Sequence, residues 1–315
     1  HNNLKYVDLS LAPNLNEIWA DRNELEELDL STAPALLDLH CAYNNLTALN
    51  LDFNLNLWRV ECSSNLIPEI DLSMLSDLQY FEAVNNIFTV LDLTSNAELL
   101  RVRCDFGLIE NLIFDSHPNL ISLECSDNNL TSLNLTVAPS LEELNCQNNL
   151  ITFIDLSLNP NLGRFYFFNN NFELINLKSG NNTILTDLWG TDNPSLYCIN
   201  VDDATFSEVN WIGIDDASVY SEGCFTDVEN QVDKSKMTLY PNPFSDYATL
   251  SFGKELEEVH SVVIYDVLGQ IVYQAINVVG TELKIQSRNL DSGTYMLLLL
   301  NSRLEEISNT KLIVQ

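Results

Sequence analysis

Asparagine returns every 21 residues along the first part of this chain, at Asn23, Asn44, Asn65 and Asn86 and again at Asn128, Asn149 and Asn170, with Gly107 alone interrupting the column. Three residues earlier in each unit stands a mostly small residue: Ala20, Cys41, Cys62, Ala83, Cys104, Cys125, Cys146, then Phe167. Two residues before those come Ile18, Leu39, Val60, Phe81, Val102, Leu123, Leu144 and Phe165, and each unit opens on a leucine, from Leu15 and Leu36 to Leu141 and Leu162. Three columns in one register exclude an ordinary globular core. Each unit has one apolar face, and only stacking on the next unit can bury it. Between these segments runs a second half-unit, as in Leu28-Asp29-Leu30-Ser31, with its own column of Leu28, Leu49, Ile70, Leu91, Leu112, Leu133, Ile154 and Ile175. Twenty-one residues are too few for a strand, a full helix and two turns. The back of each coil is therefore expected to be extended or a 3-10 turn, and the solenoid nearly all β.

The front string, L-x-x-L-x-(C/A)-x-x-N-x-L, complete from Leu120 to Leu130, resembles the leucine-rich-repeat signature. The resemblance implies parallel strands along one face and an asparagine turned inward to satisfy backbone groups at the bend. About nine repeats fill residues 1–196, the last made irregular by Gly180-Asn181-Asn182, and residues 197–225 are expected to cap the open end. Cys198 and Cys224 flank that cap. We read them as a disulfide, with two free thiols as the alternative; the disulfide would favour an oxidising compartment. The other five cysteines fall one per coil. That makes a line rather than the four convergent ligands of a zinc site, so they read as small buried hydrophobes and no metal or cofactor is expected. The acids of the second half-unit (Asp8, Asp29, Asp71, Asp92, Asp155) stack on the back. A solvated acidic face accounts for them better than Ca²⁺ does.

With 45 acidic residues against 14 basic and a net charge of -31, the chain lacks the Lys and Arg clusters that nucleic acid or an anionic membrane requires. No apolar run approaches the ~20 residues of a membrane span. The opening His1-Asn2-Asn3 is not signal-like, which fits a cytoplasmic chain or one whose leader has been removed. Histidines are scattered, and no nucleophile-elbow, zinc-protease, phosphate-loop or dinucleotide pattern occurs, so catalysis is not expected. The outward positions of the expected concave sheet carry Trp19, His40, Tyr43, Trp58, Tyr80, Phe106, Tyr166, Phe168 and Trp189 together with Arg22, Arg59, Arg101, Arg103 and Arg164. Those five are every arginine before residue 225, among about 33 acids. Aromatic and arginine enrichment is the composition of binding hot spots. The competing reading is that the arginines only neutralise Asp38, Glu61, Glu82, Glu124 and Glu143.

From about residue 225 the repeat stops. Residues 226–236 read as a polar linker, and seven short alternating segments from Met237 to Val314 read as a seven-stranded β-sandwich. Tyr240-Pro241-Asn242-Pro243-Phe244, Ile264 to Gln270 with Asp266 and Gly269, Leu290 to Tyr295 with Gly293, and the closing Lys311 to Gln315 together resemble the C-terminal type A sorting domain of the type IX secretion system of Bacteroidetes. That resemblance spans 237–315. It implies export, contact with the secretion machinery and a sortase, cleavage in the linker, and a secreted or outer-membrane surface location. The whole reads as an all-β chain, exported for recognition or adhesion, that binds a protein or glycan on its concave face. The alternatives are a structural, self-associating surface component or the non-catalytic part of a larger exported enzyme.

Overall fold

The computed structural model describes residues 2–224, 237–265, 271–290, 292–300 and 306–314. They divide into two compact units, 1–224 and 225–315.

In the first unit, nine three-residue strands from Glu17–Trp19 to Asp187–Trp189 form one parallel sheet. Register steps by 21 residues (Glu17 opposite Asp38, Asp38 opposite Arg59) except at the last pair, where Arg164 meets Asp187. Strand geometry sends alternate side chains to opposite faces. The central Leu39, Val60, Phe81, Val102, Leu123, Leu144 and Phe165 are accordingly buried, and their neighbours face solvent or one another. The opening leucines Leu36 through Leu141 are fully buried behind them.

The chain leaves the sheet at a left-handed residue directly before each column asparagine, and before Gly107 in the coil that lacks one. Arg22, Tyr43, Ser64, Asn85, Phe106, Asp127, Asn148, Asn169 and Asp192 all have φ between 52° and 60°. The asparagine that follows repairs the bend. Asn65 Nδ2 donates to the carbonyls of Cys41 (3.0 Å) and Cys62 (2.9 Å), and its Oδ1 accepts from Leu46 N–H at 3.0 Å. Asn193 continues the column beyond the two-residue insertion, donating to Phe167 O and Gly190 O. Sequence reading missed it because it stands 23 residues after Asn170, not 21. A second buried column was also missed. Asn54, Asn96 and Asn159 lie on the other side of the coil, each donating to two carbonyls of the coil before.

On the back, regular pairing is local: Val90–Asp92 with Asn111–Ile113, and a four-stranded parallel set from Phe153–Asp155 to Val219–Ser221. The stacked acids serve turns. Asp8, Asp29, Asp71, Asp92 and Asp155 each accept the backbone N–H two residues on at 2.9 Å. The open end is sealed by helix Ala204–Asn210, whose N-cap Asp203 accepts from Phe206 N, and by Trp211, buried between Phe206 and Tyr220. Trp211 Nε1 donates to Leu185 O at 2.7 Å, and Cys198 and Cys224 are joined across the cap.

The second unit is an antiparallel sheet with its own core around Phe252, Ile264, Leu297 and Leu312. The described parts of the seven expected segments lie on strands, apart from Met237, which precedes Thr238–Tyr240. Ala248–Phe252 and Ser261–Tyr265 are two stretches of one bulged strand, Tyr247–Tyr265, as are Ile271–Tyr273 and Leu283–Ile285 within Ile271–Gln286. The sheet therefore has five strands among the described residues, because register shifts bend the chain where sequence reading placed breaks.

Candidate functional site

Outward side chains of the front strands form two columns. One runs Glu17, Asp38, Arg59, Tyr80, Arg101, Ser122, Glu143, Arg164, Asp187; the other runs Trp19, His40, Glu61, Glu82, Arg103, Glu124, Asn145, Tyr166, Trp189. Adjacent coils bring opposite charges together, and most of the arginines are spoken for. Arg59 touches Glu61 (3.3 Å) and Glu82 (3.7 Å), Arg103 touches Glu82 (3.4 Å) and Glu124 (3.1 Å), and Arg164 touches Glu143 (3.4 Å). Charge neutralisation therefore describes these three. Burial pushes the Glu124 carboxyl up, opposed by Arg103 beside it.

Arg101 differs. Among the described residues it has no carboxylate within ion-pair distance. It lines a depression of about 560 Å³ together with Tyr80, Ser122, Glu143, Gly163 and Arg164. The dent opens at Gly163, which occupies the column of Leu100, Ile121 and Glu142 without a side chain. At its floor the Ser122 hydroxyl is buried with no hydrogen-bond partner.

The remaining candidates fall into separate groups. Arg22, Tyr43 and Phe106 sit on the left-handed corners beside the sheet, not on its strands, and Arg22 lies over the Tyr43 ring at 4.6 Å. Trp58 precedes its strand and packs edge-on against Tyr80; Phe168 follows its strand and is half-buried. At the far end, Tyr166 and Trp189 both donate to Asp187, and that bond pushes the Tyr166 hydroxyl up to about 12. His40 is not an exposed contact residue. It is buried beneath Trp19, the rings stacked at 3.8 Å, and flanked by Asp38 and Glu61. Sequence reading grouped none of its acidic neighbours with it. The five cysteines of the small slot are buried free thiols, and burial raises them all, Cys62 to about 12.

In the second unit the Asn242 side chain clasps the last strand, donating to Lys311 O (2.7 Å) and accepting from Ile313 N (2.9 Å). Pro241 and Pro243 flank it, each after a cis bond, and Tyr240 is exposed. Phe244 and Tyr295 enter the core, with Gly293 against the Tyr295 ring. Asp266, Gly269 and Gln270 lie outside the described residues, as does the 226–236 linker.

Two classes meet in this architecture: a leucine-rich-repeat solenoid and a β-rich tail whose motif residues bind its first turn to its last strand. Residues 238–315 match the secretion system C-terminal sorting domain. The fold is similar to the functional domain of InlJ from Listeria monocytogenes, described as including a cysteine ladder, at 20% identity and a TM-score of 0.59 over 99% of this chain and 65% of that one. It is also similar to the LRIM1/APL1C complex, at 19% identity and a TM-score of 0.52 over 70% of this chain and 45% of that one. The chain thus spans less than two thirds of the length of either structure. No curated protein matches it in sequence. The chain is a leucine-rich-repeat protein with a type IX sorting tail, and it is secreted or carried on the cell surface. No helix among the described residues is long and apolar enough to cross a membrane.

Proposed function

We propose that the chain is an exported recognition or adhesion protein that binds a protein or glycan on the front face of its solenoid, centred on the depression at Arg101. The observation that carries this is Arg101 itself: a guanidinium without an ion pair among the described residues, in a depression that it shares with the Tyr80 ring. The exposed Trp19, Tyr43, Phe106 and Trp189 extend the apolar contact available along the same side. The dense acids around the depression repel a polyanion, so the ligand is one that offers a few acceptor groups.

The full chain, screened on glycan and peptide arrays, is expected to give hits that Arg101→Glu abolishes and that a back-face change, Asp92→Asn, leaves intact. Hits that survive Arg101→Glu and Arg164→Glu together would sink the proposal.

A further inference from the structure

We infer that the first coils carry a binding site for a divalent transition-metal ion of the Zn²⁺ type, formed by Asp21, His40 and Glu61. A ring nitrogen of His40 and one carboxylate oxygen each from Asp21 and Glu61 lie within 4.8 Å of one another. These residues come from three consecutive repeats, so the stacking of coils alone brings them together.

The contacts around His40 call for a cation. Nδ1 lies 2.7 Å from Glu61 Oε2, and Nε2 lies 3.1 Å from Asp38 Oδ1. A neutral imidazole has one N–H and one lone pair, so in either tautomer a lone pair faces a carboxylate oxygen. The His40 side chain is 3% exposed, and its Nε2 and Asp38 Oδ1 are both buried without hydrogen-bond geometry. Protonation of the ring would add one charge, yet the Nε2 proton would still be misaligned. The local charge is also short. Asp21, Asp38 and Glu61 are three carboxylates, and among the described residues the only side-chain cation touching them, His40 itself aside, is Arg59, which reaches Glu61 and shares itself with Glu82. Burying uncompensated carboxylates is costly, and a divalent ion answers both the lone pairs and the charge.

The donor set selects the metal. One imidazole with two carboxylates suits Zn²⁺ and its neighbours, whereas Ca²⁺ and Mg²⁺ take oxygen alone. Three protein ligands leave a position for water on the front face. Trp19 covers the His40 ring from solvent, and Asp38 stands beside the ring as the neighbouring carboxylate that commonly orients a metal-bound histidine.

The test is calorimetric titration of ZnCl₂ into the full chain after chelator treatment, with Co²⁺ absorption as a second readout of histidine–carboxylate ligation. One equivalent of Zn²⁺ is expected to bind, with no heat from Ca²⁺ or Mg²⁺. Glu61→Gln and Asp21→Asn, which keep shape on half-buried positions, should each weaken binding by about tenfold or more, and Asp38→Asn by about 10–100-fold. Absence of zinc binding in the parent chain overturns the site. So does binding that Glu61→Gln and Asp21→Asn leave unchanged, which would place the ion elsewhere on this acidic surface. Finding both His40 ring nitrogens protonated by NMR at neutral pH in the presence of excess Zn²⁺ would overturn it as well.

Discussion

Asn65 shows what one repeated side chain does: it serves three carbonyls and one N–H that the bend leaves inside the coil. Asn65→Ala strands the Leu46 N–H without water, at about 1–3 kcal/mol for that group alone. The expected outcome is a loss of about 3 kcal/mol in urea unfolding, while Asn56→Ala, at an exposed position, stays within about 0.5 kcal/mol; equal effects would refute the role. Gly190 makes the complementary point. It ends the small-residue column because the Phe167 ring of the previous coil fills its space, 1.9 Å from where a Cβ would stand. Gly190→Ala should cost about 1–3 kcal/mol. In a double-mutant cycle, Phe167→Cys, which restores the residue usual at that slot, should offset part of that loss. Simple additivity would show that the ring is not the obstacle. The column was legible in sequence, but the Phe167–Gly190 exchange was not, since only packing reveals that one ring occupies two slots.

At the scale of the half-unit, the back-face acids are turn formers. Hydrogen bonds from the backbone and side chains of Ser10, Ser31 and Ser73 hold the carboxyls of Asp8, Asp29 and Asp71 below their ordinary value. A folded-state value below the unfolded one stabilises the fold fully above the ordinary Asp range. That contribution is lost as pH falls through the folded value. Thermal stability should therefore drop below about pH 4. Asn50 and Asn176 already perform the same turn contact without charge. Asp8→Asn, Asp29→Asn and Asp71→Asn combined should thus fold and show a shallower acid decline than a charge-matched control of Glu26→Gln, Glu69→Gln and Glu110→Gln. Identical melting curves from pH 3 to 7 would count against it. The sequence showed these acids as a stripe; the bond each one makes lies within its own turn and required backbone coordinates.

For the whole molecule, the tail is an export signal and the solenoid is its cargo. Removing 237–315 should leave the solenoid inside the producing cell while its repeats stay folded, checked by fractionation and by circular dichroism of the truncated chain. Its appearance in the medium at the level of the full chain would contradict the assignment of the tail. The candidate face was legible in part. All five arginines did fall on or beside one sheet, since that follows from register alone. Their pairing did not follow, because register does not say which of several nearby acids a long side chain reaches.

The 21-residue period by itself determined a parallel solenoid, its inward columns and its asparagine corners, because a repeat that short has one way to bury its apolar face. The four sorting motifs identified the tail as a sorting domain, though not the number of its strands. Only the tertiary structure decided that Arg59, Arg103 and Arg164 are paired while Arg101 is open over the Gly163 dent. It also decided that His40 is buried among acids from neighbouring coils. Distances across adjacent strands depend on side-chain direction and on the gap left by a missing neighbour, and neither is written in a column of letters.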